Sequence, residues 1–372
     1  MRREYYLLPL IALMMFLLGC ETSTEPSHRC PAAYEGQINL LREVWYESSP
    51  PLDSVMGLGY DAPECRQFYW YNAPSDEICG AGYLLCYRRD LDPSRDPGCD
   101  GVVPSLIIRA IEPEQGEWCG VMTGFPGGLD ISKAGYFDIW INDYQPEPTS
   151  RSGVVYVEFG LIDEDFHAPS LNQLDDEDLP PYGWTKYEDI GFKGDDYCWY
   201  PPEPCYAYHP DTGAWPGINC RRSNFVHDTE DLNGNGYLDQ ENAYYHFEIN
   251  LADSAVIDVQ RDYPKDKYAE YWNASPMNQK KAWRLYRVSL ANLEQALVSP
   301  SGLAPRTNAI QHFRIWLPSP ASIEGHAGHL IQTSMVRFHE QVPGGMASPS
   351  QSRDWLQHSN EDQGYCRMTP RL

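Results

Sequence analysis

Eight short segments rich in β-branched and aromatic residues recur between Val102 and Phe338, separated by loops of glycine, proline and aspartate. They are Val102–Ile111, Trp118–Thr123, Tyr136–Ile141, Val154–Leu161, Tyr244–Leu251, Trp283–Leu290, Ile310–Leu317 and Leu330–Phe338. In Tyr136–Ile141 the side chains alternate at period two, the signature of a half-buried strand. Many short strands with turn residues between them predict an all-β fold, a β-sandwich of the jelly-roll or galactose-binding-like kind. With 31 prolines and 29 glycines, the chain has room for few long helices. Helical spacing is confined to 38–45 and to Ser289–Val298, where Leu290, Leu293 and Leu297 share one face.

The flanking regions differ in character. Residues 36–100 are rich in cysteine and aromatics and read as a disulfide-stapled N-terminal layer, and 101–342 as the sandwich module. Residues 162–242 form a long acidic excursion within it, and 343–372 a polar tail. A loop of that length inside a compact domain is usually functional or ion-bound. Ten cysteines are disulfide candidates: Cys30, Cys65, Cys79, Cys86, Cys99, Cys119, Cys198, Cys205, Cys220 and Cys366. No Cys-x-x-Cys occurs among them, so soft-metal and thioredoxin-like chemistry has no support. Cys79–Cys86 and Cys198–Cys205 are plausible local pairs by spacing.

The amino terminus sets the compartment. Arg2 and Arg3 precede an apolar run from Tyr5 to Leu18, which ends in Leu17-Leu18-Gly19-Cys20. A basic start and a short apolar core make a secretory signal over residues 1–19, and the run falls short of the roughly twenty residues of a membrane span. Its end resembles the lipobox of bacterial lipoproteins. That resemblance implies cleavage before Cys20, lipid on its thiol, and a tether over residues 20–35. Glu21 stands where aspartate would favour inner-membrane retention, so the expected location is the outer membrane, facing the periplasm or the cell surface. Of 28 basic and 53 acidic residues, removal of Arg2, Arg3 and Glu4 leaves 26 and 52, a net charge of −26. Such a chain repels nucleic acid and anionic headgroups. Its expected partners are the membrane through the lipid, and an envelope protein or surface polysaccharide.

One stretch has metal-ligand spacing. Asp231, Asn233 and Asn235 occupy positions one, three and five of a calcium loop, Gly236 the turn position, Tyr237 offers its carbonyl, and Asp239 lies at nine. Position twelve is Asn242 rather than glutamate, with Glu241 one place early, so Glu241, Asp228, Glu230 or water has to complete the shell. The cofactor expected is therefore Ca²⁺. The alternative is an Asn-Gly turn whose side chains only bond the backbone.

Around this loop, Trp118-Cys-Gly-Val-Met-Thr123, Phe137-Asp-Ile-Trp-Ile-Asn-Asp143, Val157–Asp165, Asp228–Tyr245, Trp283–Tyr286 and Phe313–Leu317 follow one another. Their order resembles the repeated module of the SprA (Sov) family, cell-surface proteins of gliding motility and type IX secretion. The resemblance covers about 110–340 and implies a soluble β-sandwich facing the exterior or periplasm. It does not carry the family's transport function, because no large membrane barrel fits in 372 residues.

Enzyme motifs are scarce: there is no Gly-x-Ser-x-Gly, His-Glu-x-x-His or phosphate-cradling glycine loop. Two alternatives to a non-catalytic, lipid-anchored envelope binding or scaffold protein stay open. One is a carbohydrate-binding surface lipoprotein that stacks sugars on Tyr69, Trp70 and Tyr71. The other is a glycan-cleaving enzyme using a pair such as Glu164-Asp165. The anchor has a direct test. Cells expressing the protein should incorporate labelled palmitate into it and retain it in the outer-membrane fraction. Cys20→Ala should abolish both, and unchanged labelling would refute the lipobox reading.

Overall fold

The computed structural model describes residues 37–41, 44–52, 68–72, 85–95, 97, 100–110, 117–147, 153–165, 231–253, 255–318 and 329–340. All fall within the compact unit Tyr34–Ser352. Cys20, the tether, most of the acidic excursion and the 343–372 tail lie outside them.

The described chain folds as an antiparallel β-sandwich. Its strands are β1 (Tyr46–Glu47), β2 (Phe68–Asn72), β3 (Cys86–Tyr87), β4 (Val102–Val103), β5 (Ser105–Ala110), β6 (Trp118–Leu129) and β7 (Ala134–Asn142). They continue with β8 (Val154–Leu161), β9 (Ala243–Asn250), β10 (Ile257–Asp258), β11 (Trp283–Ser289), β12 (Leu297–Val298), β13 (Ile310–Pro318) and β14 (His329–Glu340). One sheet has the order β1-β6-β13-β8-β9-β12, the other β10-β11-β7-β14-β5-β2, and β3 with β4 forms a small third sheet. Helix is limited to α1 (Arg88–Leu91), α2 (Val259–Asp262), α3 (Ala269–Ala274) and a 3₁₀ turn at Leu293–Ala296.

The pairing is nested. β8 pairs with β9, β7 with β11, β6 with β13 and β5 with β14. A long antiparallel ribbon is thus folded over, and β13 and β14 close it by also pairing with β8 and β7. Inward side chains follow the period of two: Phe137, Ile139 and Ile141 on β7, Val155, Val157 and Phe159 on β8, and Phe313 and Ile315 on β13. Rings from the two sheets meet edge-on, Phe137 on Phe159 at 5.9 Å and Phe338 on Phe159 at 5.2 Å.

The eight expected strands are all present, several to within a residue. Within 36–100, by contrast, the described segments around β1 and β2 belong to the sandwich itself. Trp45 and Trp70 are buried in the sandwich core, β1 pairs with β6, and β2 extends the other sheet beside β5. The two expected helices are also corrected. Ile38 donates its amide to the Val336 carbonyl and Gln37 bridges to Arg337, so the 37–41 segment runs extended along β14. At 289–298 the spaced leucines serve a strand end, a 3₁₀ turn and a new strand: Leu290 is buried, while Leu293 and Leu297 pack on the core edge. Cys86 is a free, buried thiol rather than a disulfide partner. It sits by Asp90, and burial, then the Asp90 charge, pushes the thiol well up. Cys119 is buried in the core on β6, and the other eight candidates lie outside the described residues. Among the described residues no helix is long and apolar enough to cross a membrane.

The outer face of the β6-β13-β8-β9 sheet carries buried charge. Arg314 on β13 is paired with Glu158 on the neighbouring β8, and both side chains are 0 % exposed. Arg314 also donates to the Ser49 carbonyl at 2.9 Å and lies over the Tyr244 ring, while His246 contacts the second Glu158 oxygen at 2.8 Å. Burial alone would raise the Glu158 carboxyl. The charges of Arg314 and His246 outweigh it and hold the group below its ordinary value. A carboxyl depressed in the folded state stabilises the fold above its unfolded pKa. That stability is lost as pH falls through the folded one, which lies below the ordinary glutamate value. Glu158→Gln should cost about 3–5 kcal/mol at neutral pH, because Arg314 is left buried without its counter-charge. Urea titrations at several pH values should also show a shallower acid limb in the variant. An unchanged midpoint at pH 7 would show that the pair contributes nothing.

Candidate functional site

The expected calcium loop lies where β9 is entered. Aspartate and asparagine at alternate positions, with Gly234 and Gly236 at φ +68° and +83°, curl the chain so that side chains turn back on the backbone. The two Asp231 oxygens accept from the amides of Asn235 (2.8 Å) and Gly236 (2.7 Å). Asn233 and Asn235 each accept from the amide two residues on, at 3.0 and 2.8 Å. Their carboxamide groups both meet one Asp239 oxygen, at 2.6 and 2.9 Å. Four of the six expected ligand residues, Asp231, Asn233, Asn235 and Asp239, therefore meet in one loop. The Tyr237 side chain is 75 % exposed, and Glu241 is exposed.

The loop is fastened to the sheet by a residue outside it. Glu164, just beyond β8 and 1 % exposed, accepts on Oε1 from the amides of Leu232 (2.9 Å) and Asn233 (3.3 Å), and on Oε2 from the Asp239 amide (3.1 Å). In return the Glu164 amide donates to the Asp239 carbonyl at 2.7 Å. His312 on β13 completes the bracket, with Nε2 2.8 Å from Glu164 Oε1 and the Ile162 amide donating to Nδ1 at 3.1 Å. A nitrogen that accepts from an amide carries no proton, so this network assigns His312 the Nε2–H tautomer.

Glu164, Asp239 and His312 bring ligand-capable atoms within 4.8 Å of one another. The hydrogen bonds decide what this group can do. Both His312 nitrogens are engaged, and three donors already converge on Glu164 Oε1. This triad is a fastening built from a fully bonded buried carboxylate. The Asp231–Asp239 loop is hydrogen-bonded too, both Asp231 oxygens and both carboxamide oxygens accepting from backbone amides; its two carboxylates and two carboxamides are oxygen groups of the kind Ca²⁺ takes. Next to Glu164, burial above all, with the charges of Asp165 and Glu164 adding to it, pushes the Asp163 carboxyl up to about 6.

Other expected sites fare differently. Trp70 is 2 % exposed, with its indole N–H donated to the Trp45 carbonyl at 2.8 Å. Tyr71 is buried as well. Buried rings are no sugar-stacking platform, which corrects the expectation for Trp70 and Tyr71; the Tyr69 side chain lies outside what is described. Glu164, one half of the acidic pair considered for glycan cleavage, is enclosed and saturated with donors, as a general acid or base facing substrate would not be. His312 escaped sequence reading, and Glu164 was read only as half of an acidic pair, not as the fastening of the loop. The one available hint was the outward series His312, Arg314, Trp316, which carries charge on a strand whose other face is apolar. Comparison with protein-family models finds no match, and comparison with curated proteins finds none either.

The loop rests on β6 through Gly124, where a Cβ would overlap the Leu232 carbonyl and crowd the Asn233 amide. The obstacle is backbone, so it cannot swing aside. Gly124→Ala should lift the loop from the sheet and destabilise the protein by about 1–3 kcal/mol. Thermal melts check the cost, and amide exchange at Leu232 and Asn233 should rise by more than in the core strands. Wild-type stability in this variant would mean that the loop does not press on β6.

Proposed function

We propose that this chain is a non-catalytic binding or scaffold module of a bacterial envelope, held at the outer membrane by lipid on Cys20. Its sandwich is read as a jelly roll, for which the nested ribbon pairing is the support. The resemblance to SprA-type surface modules supports an envelope setting. The loop is read as a structural Ca²⁺ site whose ligands are Asp231, Asn233, Asn235 and Asp239, with the Tyr237 carbonyl and with Glu241 or water completing the shell. One observation carries this reading: four hard-oxygen side chains converge in a loop that Glu164 and His312 fasten to the sheet. A cation bound there would supply charge neutralisation and fix the point from which β9 enters the sandwich. No reaction is assigned to it.

An incomplete twelfth position implies modest affinity, on the order of 10⁻⁴–10⁻³ M, as in extracellular modules. Binding to the folded state alone stabilises by RT ln(1 + [L]/Kd), about 2.7 kcal/mol at a hundredfold excess over Kd. Calcium at 5–10 times Kd, roughly 1.1–1.4 kcal/mol by the same relation, should raise the melting temperature by a few degrees. Chelator should reverse the rise, and Asp231→Ala with Asp239→Ala should remove it. Identical melting curves in calcium and in chelator would leave the loop a purely hydrogen-bonded turn.

A further inference from the structure

In a chain of net charge −25, cations gather at one cleft on the opposite sheet's flank. The cleft has a volume of about 470 Å³ and lies between α1 with the turn that follows it and the start of α3. Arg89, Arg95 and Lys267 line it with Tyr268 and Tyr271, and Glu270 is the one acid among the described lining residues. That volume is in the range of small-molecule sites.

Arg89 is the anomaly. Its side chain is 9 % exposed, yet the one carboxylate its guanidinium meets among the described residues is the largely exposed Glu270, at 3.7 Å. Its cationic face lies 5.7 Å above the Tyr271 ring. Among the described residues its buried Nε has no hydrogen-bond partner. The Arg95 side chain is 7 % exposed, and its Nε lies 3.6 Å from Asp92. Burial draws the Arg95 guanidinium below its ordinary range, Asp92 opposes this, and the Arg88 cation adds to it. Lys267 is exposed at the rim, its ammonium 5.1 Å from the Tyr268 ring centre. The other local acids are occupied: Asp90 by Lys281 at 2.6 Å and by the Tyr271 hydroxyl at 2.9 Å, and Asp100 by the Arg89 amide at 3.0 Å.

A largely buried guanidinium balanced only by an exposed carboxylate at 3.7 Å is poorly compensated, and the natural complement of a guanidinium is a planar or tetrahedral oxyanion. We propose that this cleft binds a small solute, or the terminal unit of a glycan, through a carboxylate or phosphate group seated between Arg89 and Arg95 and closed by Lys267. The long-range field of the acidic chain disfavours anions, so recognition is local and needs these three cations together. The site is independent of the Asp231–Asp239 loop and of any cation there.

Titration calorimetry on the full chain, at fixed ionic strength near 0.15 M, tests this with inorganic phosphate, glucuronate and glucose. At least one anion should bind saturably with one site, and glucose should not bind. Phosphate alone binding would mark a phosphorylated ligand, and glucuronate alone an acidic sugar. Lys267→Glu, at an exposed rim position with no part in the fold, should weaken binding about tenfold or more. Arg89→Met should abolish it. No binding by either anion, glucose binding as well as glucuronate, or affinity unchanged in Lys267→Glu would each overturn the proposal.

Discussion

Phe159 is in contact with five other aromatic rings, drawn from both sheets. Phe137 and Phe338 come from one, and Tyr245, Phe247 and Phe313 from its own. The two cross-sheet contacts are edge-to-face, with interplanar angles of 90° and 88°, and the Phe247 and Phe313 rings lie nearly parallel to Phe159. Such pairs add about 0.5–1.5 kcal/mol each beyond the area they bury. Phe159 sits on β8, the strand at which the folded ribbon turns back, and Phe338 on β14, at its far end. The ring cluster therefore joins the two ends of the ribbon through the middle of the sandwich. Formation of this core requires closure of the chain over its whole described length, an arrangement whose entropy cost slows folding.

Once the inner faces are committed to this cluster, the outer faces have to accept everything else. On β13 the series His312, Arg314, Trp316 points away from the core and is buried all the same. An antiparallel sheet commonly leaves one face to water; here the outward charges are enclosed and must find partners in neighbouring strands. Glu158 meets Arg314, Glu164 meets His312, and on the other sheet Asp138 takes a bidentate pair from Arg287 at 2.8 and 2.7 Å. Buried pairs of this kind contribute little net stability over apolar neighbours, but loss of one member is expensive. They favour one register, because a one-residue slip would turn each charge into the phenylalanine cluster.

This division explains what could be read from the chain. The eight principal strands were legible because β-branched and aromatic residues alternate in them, and local turn residues bound them. The Asp231–Asp239 loop was legible for a similar reason: the hydrogen bonds within it span only a few residues. Two-residue strands such as β3 and β10 carry no period to read. Leu290, Leu293 and Leu297 satisfy helical spacing and strand–turn–strand burial equally well, and the tertiary surroundings chose the second. Trp70 stood out as an aromatic in a loop-rich region, and only its pairing partner β5 shows that it lies in the core. The pairing of Glu164 with His312 was beyond reach, since nothing local says that an acid after β8 and a histidine on β13 will share a hydrogen bond.

The same tertiary placement decides which charges matter. A net charge of −25 suggests a uniformly acidic surface, but exposed charges are screened over about 8 Å at physiological salt. What a bound ion feels is set by the few groups within that distance. At the loop these are Asp231, Asp239 and the acids that follow β8, and the local sign agrees with the global one. At the cleft beside α1 they are Arg89, Arg95 and Lys267, and the local sign is reversed. Salt therefore acts differently at the two places. At the loop it weakens both local and long-range attraction for a cation. At the cleft it also removes the long-range repulsion of an anion, so the salt dependence there should be shallower than three local cations alone would give.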